Sequence, residues 1–161
     1  MKTIILNWYG PYNDENIKDE VDFGNGLYLI TGMAKRQRFD RIQYCGITER
    51  TFLKRFDDKN HKRLLVTKNR EYWLAEVIYP KKVKKDILEL AETTLIYFWQ
   101  TPLNERKKAS VPNPTTLINR WFRIDCKPRI YQQKIYKDLP DVISWDGEYW
   151  RTGNLDVYED Y

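Results

Sequence analysis

The chain reads as a single α/β (α+β) domain spanning residues 1–161, and three observations predict it. Two runs rich in strand-forming residues, Leu27–Thr31 and Arg41–Ile47, flank a charged loop, the pattern of an antiparallel pair. A third run, Glu71–Tyr79, is aromatic and β-branched and stops at Pro80. Then Lys81–Trp99 repeats apolar side chains at three and four (Val83, Ile87, Leu90, Ala91, Thr94, Leu95, Phe98), which predicts an amphipathic helix. At 161 residues the chain is long enough to bury a core without a disulfide or structural metal, and it contains no internal repeat.

Taken in order, Thr3–Trp8 is an N-terminal strand candidate, ended by Tyr9-Gly10-Pro11 and followed by a polar stretch through Asp22. Gly24-Asn25-Gly26 makes a tight turn that launches the Leu27–Thr31 strand. Side chains alternate along a strand, so Tyr28 and Ile30 share a face, as do Ile42 and Tyr44. With suitable register the two tyrosines stand near each other. Between the strands, Gly32–Asp40 is an exposed loop carrying Lys35, Arg36 and Arg38. Thr48 is a reasonable N-cap for a short helix through Asn60, with Phe52, Leu53 and Phe56 as its buried stripe and Arg55 beside that stripe. In the Lys81–Trp99 helix, Lys81, Lys82, Lys84 and Lys85 crowd the first turn, the unfavourable end for positive charge, and Pro102 closes it. Beyond Glu105 four prolines divide the chain into short strand candidates, Trp121–Ile124, Arg129–Tyr136 and Glu148–Arg151, the last after an Asp146-Gly147 turn. This aromatic C-terminal extension, 105–161, is expected to pack on the core.

Composition narrows the chemistry. The 42% hydrophobic and 15% aromatic content predicts a folded chain. Two isolated cysteines, Cys45 and Cys126, suggest neither a zinc ribbon nor a disulfide framework and fit a reducing cytoplasm. The apolar run Met1–Leu6 is too short for a secretion signal, and no segment approaches a membrane span, so a soluble, cytoplasmic protein is expected. A single histidine, His61, excludes sites that need several imidazoles. Net charge is +5, unevenly spread: Asp141, Asp146, Glu148, Asp156, Glu159 and Asp160 face Arg151 alone in the last 21 residues, a net −5 that leaves +10 on residues 1–140. A basic body with an acidic tail points to a polyanionic partner.

The tripeptides Gly26-Leu27-Tyr28 and Tyr44-Cys45-Gly46, followed by Arg55, Glu92 and Asn104, carry a resemblance. In this order, over roughly residues 24–104, the chain resembles the GIY-YIG nuclease family. The resemblance implies a small, mainly antiparallel three-stranded sheet flanked by helices. It also implies a metal-dependent DNA endonuclease with Tyr28, Tyr44 and Arg55 around the attacking water. Glu92 would be the sole protein ligand of magnesium or manganese, and Asn104 would help hold the site together. Lys54 competes with Arg55 for the catalytic cation, and Arg55 is preferred because Phe56 follows it, as a large apolar residue commonly does in the family.

That chemistry is sound on its own terms. Magnesium takes oxygen ligands and keeps several waters, so one carboxylate suffices. Arg55 offers a planar, permanently charged fork to phosphate oxygens. A tyrosine base needs nearby cations, because its ordinary pKa is about 10. Lys35, Arg36, Arg38, Lys54, His61 and Lys62 are the expected nucleic-acid contacts, with a solvated basic turn as the plainer reading of His61. A second reading from another class is a non-catalytic nucleic-acid-binding module using the same basic face. A homodimer is compatible with either.

Overall fold

The computed structural model describes residues 1–20, 22–58, 61–129 and 139–155. Seven strands form one mixed sheet: β1 (Lys2–Tyr12), β2 (Gly24–Ala34), β3 (Arg41–Thr51), β4 (Val66–Tyr79), β5 (Thr115–Phe122), β6 (Val142–Trp145) and β7 (Trp150–Gly153), in the order β3-β2-β4-β1-β5-β6-β7. Two α-helices are described, α1 (Phe52–Phe56) and α2 (Lys85–Trp99). All neighbouring strands run antiparallel except β1 and β5, which are parallel.

This corrects the expected architecture. The three expected strands, β2, β3 and β4, are present but form one flank of a seven-stranded sheet rather than a sheet of their own. The cause is β1. Its Ile4, Leu6 and Trp8 are fully buried, and it lies between β4 and β5, so the N-terminal and C-terminal segments build the same sheet. β1 also runs past Gly10-Pro11 to Tyr12, because the ladder to β4 skips from Tyr9 to Tyr12 and Pro11 falls in the irregularity, where no ladder N–H is required.

Strand alternation gives the sheet two apolar faces. On one, Leu27, Leu29, Cys45, Trp73 and Ala75 join Ile4, Leu6 and Trp8 beneath Leu88, Ala91 and Leu95 of α2. On the other, Tyr28, Ile30, Tyr72 and Leu74 pack against Phe52 and Phe56 of α1. Ile42 does not share a face with Tyr44 as expected. Ile30 pairs with Tyr44 and Thr31 with Ile42, so Gln43 is an extra residue in the ladder and Ile42 crosses to the α2 side.

The first helix is shorter than expected. β3 continues through Thr51, and it is Thr51, not Thr48, whose hydroxyl caps α1 at the Lys54 amide. α2 starts at Lys85, so Lys81 and Lys82 precede it and Asp86 occupies its first turn, the favourable end for an anion. β6 was not foreseen; it pairs with β7 across the Asp146-Gly147 turn, where the Asp146 carboxylate accepts from the amides of Glu148 and Tyr149. The rings of Trp145 and Trp150 pack against each other at 4.8 Å, tilted by 36°. The expected strand Arg129–Tyr136 lies almost wholly outside the described residues, as do Asp156, Glu159 and Asp160 of the acidic tail. No described helix is long and apolar enough to cross a membrane.

Candidate functional site

The two tripeptides turn out to be one contact. In the β2–β3 ladder Tyr28 lies opposite Gly46, and the ring of Tyr28 covers the glycine. A Cβ on Gly46 would stand 2.4 Å from Tyr28 Cζ and 2.5 Å from its Oη, so no larger residue fits. Gly26 is equally constrained, since a Cβ there would meet the carbonyl oxygen of Ala75 on β4 at 1.9 Å. The Tyr28 and Tyr44 rings lie 6.0 Å apart on the α1 side, with Phe52 and Phe56 edge-on to Tyr28.

His61 completes this group and is not a solvated residue: it is 4% exposed, and its Nε2 lies 2.9 Å from Tyr28 Oη. Its Nδ1 accepts from the Arg63 amide at 3.0 Å. In the neutral ring the proton therefore sits on Nε2 and is donated to Tyr28. Burial, then the charges of Arg55 and Arg63, push the His61 pKa down to about 4, which makes it neutral near pH 7 and unsuited to neutralising phosphate. Burial pushes the Tyr28 phenol well up. Tyr44 is also raised by burial, Arg55 opposing and Glu92 adding to the rise.

Arg55, on α1, donates to Asp58 Oδ2 at 2.6 Å, and its charge acts on Tyr28, Tyr44, His61 and Glu92. Lys54, next to it, is exposed and takes no such part. Glu92 reaches the group from α2, on the far side of the sheet. The meeting is possible because β3 is the outermost strand and a cleft of about 570 Å³ runs along its edge. Tyr44, Glu92, Asn104, Lys62 and Lys107 all line it.

Asn104 secures that edge. Its Oδ1 accepts from the Cys45 amide and its Nδ2 donates to the Cys45 carbonyl, each at 2.9 Å, while Thr101 Oγ1 donates to Oδ1 at 2.5 Å. Leu103 extends the same cover, its amide donating to the Gln43 carbonyl at 2.9 Å.

Among the expected nucleic-acid contacts, Lys62 lines the cleft and pairs with Glu105 at 2.6 Å. Lys35, Arg36 and Arg38 are exposed on the β2–β3 loop and do not line the cleft. Sequence reading missed Lys107, whose ammonium donates to Glu92 Oε2. Its only signal was a basic triplet, Arg106-Lys107-Lys108, just beyond Asn104. Burial raises the Glu92 carboxyl, and the Lys107 contact draws it back down.

No cluster of three or more His, Cys, Asp and Glu side chains suited to a metal occurs among the described residues. A single cleft-lining carboxylate, Glu92, does fit a hard cation that keeps most of its waters. In comparisons with protein-family models, curated proteins and solved structures, nothing matches this chain.

Proposed function

We propose that the protein is a divalent-metal-dependent DNA endonuclease working at the β3-edge cleft. The observation that carries this reading is that Tyr44, Glu92 and Asn104 line one cleft at the β3 edge, with Tyr28 beside Tyr44 and the Arg55 charge acting on both Tyr44 and Glu92. A module that only binds nucleic acid has no use for a carboxylate aimed into its binding cleft.

The residues divide the work by position. His61 donates to Tyr28, whose ring lies 6.0 Å from that of Tyr44, and Tyr44 is the phenol that lines the cleft and serves as proton acceptor. In the proposed step Tyr44, ionised by loss of its own proton to solvent, takes a proton from a water as that water's oxygen bonds to phosphorus. The bond to the leaving oxygen breaks, and that oxygen keeps the electron pair and takes a proton from solvent. Arg55 binds the non-bridging oxygens through its fork and favours the ionised form of Tyr44. Glu92 would hold magnesium or manganese, which supplies charge stabilisation at the phosphate. Asn104 keeps β3, and with it Tyr44, in place.

The test is conversion of supercoiled plasmid to open circles with magnesium, with manganese and with chelator, beside Glu92→Ala. Metal-dependent nicking by the parent and its loss in the variant, with an unchanged circular dichroism spectrum, is the expected outcome. Nicking that survives Glu92→Ala overturns the site. Salt-sensitive DNA binding without turnover in either metal replaces the enzyme reading with the binding module.

A further inference from the structure

Lys107 combines an uncommon backbone with an uncommon contact. Its φ is 70°, the left-handed region that residues with a Cβ rarely enter and that concentrates at functional positions. The surrounding turn is tied to the end of α2: Gln100 Nε2 donates to the Lys108 carbonyl at 2.7 Å, and Lys108 Nζ donates to the Pro102 carbonyl at 3.1 Å. From this anchored position the Lys107 ammonium reaches Glu92, whose side chain is only 12% exposed. A carboxylate so enclosed costs free energy when ionised unless a cation accompanies it. Lys107 is that cation.

Lys107 also lines a second, adjoining cleft of about 380 Å³, together with Glu89, Thr93 and Val111. Glu89 lines both clefts and lies close enough to act on Glu92. Lys107 and Glu89 thus line both clefts in common, with open space adjoining the Lys107–Glu92 pair.

We infer that Lys107 is a built-in placeholder for the divalent cation, occupying Glu92 in the metal-free protein and withdrawing toward Glu89 and the adjoining cleft when a metal ion binds. This rests on the endonuclease reading only for the assignment of Glu92 as the metal ligand. A monovalent ammonium keeps Glu92 ionised and oriented, and a divalent ion displaces it at a cost in affinity. The site would then respond to metal concentration more weakly than a bare carboxylate would.

The experiment is titration of the purified full chain with manganese, free of DNA, following loss of the free-ion electron paramagnetic resonance signal. Parent, Lys107→Met, Lys107→Asn and Glu92→Gln are compared, with thermal melts as the check on folding. Asn accepts left-handed backbone readily, so Lys107→Asn guards against a folding failure of the Met variant. Both Lys107 variants should bind manganese about tenfold more tightly than the parent, the scale expected from removing one partly exposed competing charge. Glu92→Gln should abolish that binding. Affinity in the Lys107 variants equal to or below the parent's overturns the inference, as does binding that persists in Glu92→Gln or absence of binding throughout. Plasmid nicking is scored separately: a parent that nicks while the Lys107 variants bind no tighter sinks the placeholder alone, and tighter binding without nicking sinks the nuclease alone.

Discussion

One imidazole fixes the hydrogen bond made by the buried Tyr28. Because the Arg63 amide claims Nδ1, the His61 proton points at Tyr28, beside the cleft-lining Tyr44. This has a measurable cost in acid. In the unfolded chain the ring takes up a proton near its ordinary value of 6.5, whereas in the folded protein it does so only near 4. Between those values protons bind the unfolded chain more tightly, so this contribution to stability is complete above pH 6.5 and is lost as pH falls toward 4. The loss amounts to roughly 3 kcal/mol across that window. His61→Gln, which can still donate to Tyr28, should remove that increment from the difference between urea-unfolding free energies at pH 7 and pH 4. An unchanged difference would mean that His61 is protonated in the folded state. From sequence His61 was visible as the chain's single histidine, six residues beyond Arg55, but its burial was not. Burial came from nearby Phe56 and from Tyr28, 33 residues away, closing over it, and the second contact is one no local window contains.

At the scale of elements, the edge of β3 decides whether a site exists. An open edge strand leaves alternate amides and carbonyls unpaired. The Thr101–Asn104 segment covers those of Gln43 and Cys45 with one backbone bond and one bidentate side chain. Asn104→Ala should lower stability by about 2–3 kcal/mol in chemical denaturation, since it strands two buried backbone groups. It should also depress nicking while leaving manganese binding at Glu92 intact. A loss of metal binding would place Asn104 among the ion's neighbours instead. The existence and approximate place of β2, β3, β4 and α2 could be read from apolar period and from punctuation by Gly24, Gly26, Pro80 and Pro102. The irregularity at Gln43 could not. It is held by a side-chain bond to the Gly32 carbonyl at 2.7 Å and by the Leu103 amide, neither of which leaves a trace in local composition. The start of α1 was misplaced for a similar reason: Thr48 and Thr51 are both acceptable N-caps, and only the continued pairing of β3 through Thr51 chooses between them.

At the scale of the molecule, the stretch that carries the motifs is not a self-sufficient unit. Trp8 of β1 stacks on Trp121 of β5 at 5.2 Å, and Trp121 meets Trp73 of β4 edge-on at 5.4 Å, so three strands distant in sequence share one aromatic wall. A fragment of residues 24–104 would expose the β4 edge and the apolar surface that Ile4, Leu6 and Trp8 cover. It should show no cooperative thermal transition by circular dichroism, whereas the full chain should. A cooperative melt of the fragment would instead establish an independent motif-bearing core. Local patterning had identified an N-terminal strand, but strand order depends on pairing between segments that no short window contains.

The place of β1 also bears on how the chain is made. β1 pairs with residues 72–79 on one side and 115–122 on the other, so during synthesis it waits for β4 before it gains one neighbour and for β5 before it gains the second. The β2–β3 hairpin can close during synthesis, but the sheet in which it serves cannot. Until α2 and β5 have been made, the cover over Ile4, Leu6 and Trp8 is incomplete. The exposure to misassembly is therefore concentrated at β1 and relieved only once β5 is in place.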